Sequence, residues 1–88
     1  MRRRLVFAPE ARADLRQLFA YIAADSGAAR ASAFLSRIET HCQGLIDFPE
    51  RGTARDDLWP GLRTVGFARR VTIAFTVRPG VVRVVRVL

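Results

Sequence analysis

The chain has one histidine and one cysteine, His41 and Cys42, and they are neighbours. On a helix adjacent side chains diverge by about 100°, so the two cannot share a metal ion, and no second Cys or His completes a ligand set. Cys42 falls on an apolar stripe and reads as core. His41 has no Ser or Asp at a nucleophile spacing, and there is no glycine-rich phosphate loop. Asp56-Asp57 could hold a cation, but Arg51 and Arg55 stand beside them, so a solvated turn with local ion pairs is the simpler reading. Phosphate chemistry is the remaining option. Arg63, Arg69, Arg70, Arg83 and Arg86 could stabilise charge on a phosphate. A guanidinium does not give up its proton at neutral pH, so none serves as acid or base. Tyr21 and His41 fall on helices, away from those arginines. The residues support binding of an anion better than its cleavage. No catalytic residue, metal ligand or cofactor site is assigned.

The basic residues number 15, all of them Arg, and the net charge is +7. An all-arginine set is explained by a GC-rich genome as readily as by bidentate phosphate recognition. Its distribution says more. Residues 1–4 and 58–88 contain Arg and no acid, whereas residues 5–57 are slightly acidic. The basic excess therefore sits on the strands, and such a field attracts nucleic acid or an acidic protein segment. Arg86 lies among valines and needs a partner, either a structural one such as Asp56 or Asp57, or an acidic contact from outside. Trp59, in the loop before the sheet, is either core or an interface anchor.

The element that must carry these arginines is the last third of the chain. Val71, Ile73, Phe75 and Val77 alternate with Thr, Ala and Thr, the period of a strand with one face buried. Arg78-Pro79-Gly80 is a turn, and the β-branched run after it completes a hairpin. Residues 62–67 add a strand in front. Earlier, residues 3–7 read as a short strand and Pro9 opens a helix, with Glu10 complementing its dipole. Ala11, Leu15, Leu18, Phe19 and Ile22 form one helical stripe. After Gly27, Ala31, Phe34, Leu35, Ile38, Cys42 and Leu45 form another, ending before Phe48-Pro49. The short connection makes these two helices an antiparallel hairpin. The order β-α-α-β-β-β predicts an α+β domain over residues 1–88, an antiparallel sheet covered on one face by the helical hairpin.

A domain this small has a thin core, and a partner covering apolar surface would help it. One cysteine fits a reducing compartment. The apolar run after Arg2-Arg3-Arg4 is too short for a signal peptide, and nothing approaches membrane-spanning length. A cytoplasmic protein is expected.

Together, Phe7-Ala8-Pro9-Glu10-Ala11, Asp14-Leu15, Tyr21-Ile22, Phe48-Pro49-Glu50-Arg51-Gly52, Arg55-Asp56-Asp57-Leu58, Pro60-Gly61-Leu62-Arg63, Arg70 to Phe75 and Val84 to Leu88 resemble the RelE/ParE family of type II toxins along the whole chain. The long helical hairpin, the Pro-x-x-Gly loop and the Gly-Leu-Arg entry to the sheet are more similar to the ParE branch. The RelE ribonuclease residues are not matched. The resemblance implies a toxin that is not a hydrolase, poisons DNA gyrase and is neutralised by a cognate ParD-like, ribbon-helix-helix antitoxin in a hetero-oligomer. It implies no sequence-specific nucleic-acid contact and no membrane. Arg63 and Arg86 match family arginines, and Arg69, Arg70 and Arg83 extend that basic surface as target contacts. Leu18, Phe19, Trp59 and Phe75 are the expected antitoxin contacts. Family members usually continue past the position of Leu88 with an aromatic or His, a glycine and an Arg-Asp pair, so antitoxin binding is expected to depend less on that tail than toxicity does. The alternatives are a RelE-like, ribosome-dependent mRNA endoribonuclease and an inactive toxin fold kept as a binding module.

Overall fold

The computed structural model describes residues 3–88. In chain order the elements are β1 (Arg4–Phe7), α1 (Pro9–Ser26), α2 (Ala28–Asp47), β2 (Thr53–Ala54), β3 (Leu62–Phe67), β4 (Val71–Arg78) and β5 (Val81–Val87). The α+β architecture expected from the sequence is present, with β2 as an added two-residue strand.

Local chemistry sets the helix boundaries. Pro9 opens α1 with Glu10 in its first turn. Gly27 alone joins the helices at φ 94°, donating its N–H to Ala23 O at 2.9 Å and accepting from Ala31 N at 3.2 Å. A positive φ at so short a joint suits glycine, which has no Cβ to clash. At the other end of α2 the chain turns back through Gly52, where φ is 78° and a Cβ would stand 2.1 Å from Thr64 O. The loop can lie this close to β3 only because that atom is missing.

The sheet runs β1-β5-β4-β3-β2. All neighbours are antiparallel except β1 and β5, which are parallel, Leu5 opposite Val82 and Phe7 opposite Val84. A parallel pair needs a crossover, and the helical hairpin lies within the connection that supplies it. The helices cover one face. Ala11, Ile38, Cys42 and Leu45 meet Ile73, Phe75, Val82 and Val84 there. Phe75 is 0% exposed, on the central strand beneath the helices. It is therefore core and not an antitoxin contact, a correction to the sequence reading.

The last strand does not keep strict alternation. Ala74 pairs with Arg86 but Phe75 pairs with Val84, so Val85 is an extra residue at a β-bulge. A bulge moves the residues beyond it to the opposite face. Val82, Val84 and Val87 all point into the core as a result, while Arg83 and Arg86 share the helix-free face.

Candidate partner-binding site

The five candidate arginines do not form one cluster. Arg63 reaches into the loop after α2, where its guanidinium donates to Glu50 O, to Arg51 O at 3.2 Å and to Gly52 O at 3.3 Å. It satisfies three consecutive backbone carbonyls of that loop and ties the loop to β3, a structural task. Arg69 and Arg70 stand exposed in the β3–β4 turn, where Ala68 and Arg69 have φ of 53° and 62°. Arg83 is exposed on the helix-free face.

Arg86 is bound within the chain. It donates from Nε and Nη2 to the two oxygens of Asp14, at 2.8 and 3.0 Å, and the Val87 N–H donates to the same carboxylate at 2.9 Å. Neither Asp56 nor Asp57 fills this role. β1 stops pairing at Phe7 opposite Val84, which leaves the edge of β5 free beyond that point, and Asp14 from α1 caps it. The Arg86 hydrogen bonds hold the Asp14 carboxyl below its ordinary value, although partial burial pushes the other way. The side chains are unequal: Asp14 is 10% exposed and Arg86 48%. Asp57 pairs instead with Arg55 at 3.1 Å on the surface, and Asp56 accepts the Gly61 N–H at 2.8 Å. The turn is thus the local ion-pair network read from the sequence.

A cleft of about 710 Å³ opens where the hairpin ends overhang the β3–β4 turn. Leu18, Ile22, Phe34, Val71 and Val87 give it an apolar lining, and Arg30, Arg37, Arg70 and Asp25 stand in its wall. Phe34 and Phe67 meet edge to face at 5.6 Å, and the Arg37 guanidinium lies over both rings, 5.8 and 5.3 Å from their centroids. Such stacking fixes a cation at the rim while leaving its donors free. Tyr21, 72% exposed, also lines the opening.

Of the expected antitoxin contacts, Leu18 lines this cleft, and Phe19 is half-buried outside its lining. Trp59 is 53% exposed in the loop before β3, so it is not core. The sequence reading passed over Phe34, Ile22 and Arg37 as contacts. Ile22 and Phe34 were visible in the sequence as large stripe residues in the halves of the two helices nearest the Gly27 joint. Among the described residues no group of three His, Cys, Asp or Glu is placed to hold a metal. His41 packs on Phe67 at 5.2 Å, and Cys42 is buried. No helix among the described residues is long and apolar enough to cross a membrane.

Residues 5–88 match the family described as ParE toxin of type II toxin-antitoxin system, parDE. The chain is 45% identical over 51 residues to Toxin ParE3 of Caulobacter vibrioides, a match that covers 58% of this chain and 51% of that protein. The matched stretch thus spans about half the length of that curated relative. The fold is similar to a solved chain of the chromosomal ParDE TA system from P. aeruginosa, with a TM-score of 0.83 at 22% identity, covering 97% of this chain and 92% of that one.

Proposed function

The chain belongs to the ParE toxins of type II toxin-antitoxin systems, and from that premise we propose that it inhibits DNA gyrase and is held inactive by a ParD-like antitoxin seated in the cleft between the helical hairpin and the sheet. The observation that carries the antitoxin seat is the combination of an apolar lining with three arginines and one acid in the wall. An amphipathic segment with acidic flanks fits it: apolar side chains supply burial, and carboxylates meet Arg30, Arg37 and Arg70. Leu18 in the cleft lining, the half-buried Phe19 beside it and the exposed Trp59 are the contacts from the sequence reading that keep accessible surface.

Action on gyrase by contact, without hydrolysis, agrees with what the arginines do. Arg63 and Arg86 are occupied by carbonyls and by Asp14, which leaves neither as a free phosphate ligand. Arg69 and Arg70 in the turn, and Arg83 on the sheet, remain as target contacts.

The test is plasmid supercoiling by purified gyrase with the chain present, with and without the antitoxin. Inhibition or trapped cleavage complexes, relieved by the antitoxin, support the proposal. No effect on gyrase together with cuts in translated mRNA would replace it with the endoribonuclease. Leu18→Asp should abolish co-purification with the antitoxin while leaving gyrase inhibition in place.

A further inference from the structure

The helix-free face of the sheet carries a second surface with a different chemistry. By strand register, Arg4, Val81 and Arg78 form one row across β1, β5 and β4. Val6, Arg83, Thr76 and Leu62 form the next row, continued into β3. Arg86, Ala74 and Thr64 form a third, with Arg86 drawn over the free edge to Asp14. Strands are about 4.8 Å apart and residues on one face recur about every 6.7 Å, so Arg4, Arg78 and Arg83 stand within about 10 Å of one another. All three are exposed, and among the described residues none is in a salt bridge. No acid lies on the strands of this face. At its margins Asp14 pairs with Arg86, the Glu10 charge also acts on Arg86, and Asp56 accepts the Gly61 N–H.

We infer that this face binds the phosphate backbone of double-stranded DNA, without regard to sequence. Three features select that occupant. First, unpaired guanidiniums fixed on a rigid sheet match phosphate oxygens in geometry and sign. Second, the face has no aromatic side chain on its strands, so bases of a single strand would have nothing to stack on. Third, an acidic peptide that orders on binding needs apolar burial to offset its lost entropy. None of the exposed large apolar residues is on a strand of this face: Tyr21 and Phe48 are on and after the helices, Leu58 and Trp59 are in the loop before Leu62, and Leu88 pairs with Thr72 at the far end. A bound duplex would occupy the face opposite the hairpin and leave the cleft open.

Fluorescence anisotropy with a labelled random-sequence duplex, over a salt series, tests this on the full chain without gyrase. Binding should weaken linearly in log–log form. Arg4→Ala, Arg78→Ala and Arg83→Ala should each reduce the salt slope by about 0.9, the share of one neutralised phosphate. Arg12→Ala and Arg16→Ala, exposed positions on α1, remove the same charge and should leave the slope unchanged. Circular dichroism melts confirm that each variant is folded. Equal losses from the α1 variants would reduce the effect to net charge and overturn the inference. Tighter binding to single-stranded DNA or to duplex RNA would overturn the choice of occupant, as would no binding at low salt. Gyrase inhibition without DNA binding would sink this inference alone, since the gyrase reading has its own assay.

Discussion

Asp14 and Arg86 stand 72 positions apart in the chain and are joined by two hydrogen bonds, with the Val87 N–H as a third donor to the same carboxylate. One side chain of α1 thus secures both the last arginine and the open edge of β5. Asp14→Ala should leave the partly buried Val87 N–H without its acceptor, a loss of about 1 kcal/mol for that bond, or about 4–8 °C in Tm for a domain of this size. Thermal melts check it.

The same pair makes stability depend on pH with a definite sign. The Asp14 carboxyl is held below its usual value of 3.8 in the folded protein. Near that value the unfolded chain binds the proton more readily, so stability rises with pH. The contribution is complete above the usual value and is lost as pH falls below it through the folded one. Melts of the parent and of Asp14→Asn should differ most near neutral pH and converge in strong acid. A constant gap between them would show that the charge of Asp14 has no part in folding.

Gly52 tolerates no side chain. A Cβ would meet Thr64 O at 2.1 Å at a backbone φ of 78°. Gly52→Ala should cost at least about 2 kcal/mol, combining the left-handed penalty with displacement of the loop from β3. Denaturant titration gives the value, and the loss should spread to Arg63, whose carbonyl partners sit in that loop.

The β3–β4 turn holds two non-glycine residues at positive φ, Ala68 and Arg69. The Arg70 N–H donates to Phe67 O at 3.3 Å, which closes a turn with both central residues in the left-handed region. Ala68→Asn with Arg69→Gly should stabilise the chain by about 1 kcal/mol or more. If Arg69 contacts the target, the same variant loses potency in the gyrase assay, so stability and activity move in opposite directions.

Cys42 is a probe of opening. Burial first, and the nearby Glu39 charge second, push its thiol up to about 11. Alkylation of the native protein at mildly alkaline pH should be slow, with a rate that rises steeply through the melting range. Rapid modification of the folded chain would contradict the burial of α2 against the sheet.

Much of the fold was legible because its signals are local. The alternation of Val71, Ile73 and Phe75, the Pro79-Gly80 turn and the stripes either side of Gly27 each declare one element. What failed was relational. Phe75 alternates as any half-buried strand residue does, and only the placement of β4 between β3 and β5 puts it under the helices. The partner of Arg86 could not be read from neighbours, because Asp14 arrives from the first helix. The run Val81 to Val87 did contain a clue: arginines three apart cannot share a face unless one residue is added between them. The bulge at Val85 is that addition. The cleft was least visible, since it is made by one end of the helical hairpin together with the β3–β4 turn and residues of β4 and β5, which only the fold brings together.

The strand order also sets a timetable for synthesis. β5 is the last strand of the seven elements to leave the ribosome, yet it lies between β1 and β4 and carries Val82, Val84 and Val87 of the core. Until it emerges, β1 has no neighbour, Asp14 has no arginine and the hairpin has half a sheet to rest on. In a nascent chain of this design the sheet stays incomplete until β5 has been made, and every surface that depends on β5 comes into being together after that turn. The antitoxin proposed above, if already present in the cell, would meet a chain that has only just acquired its shape.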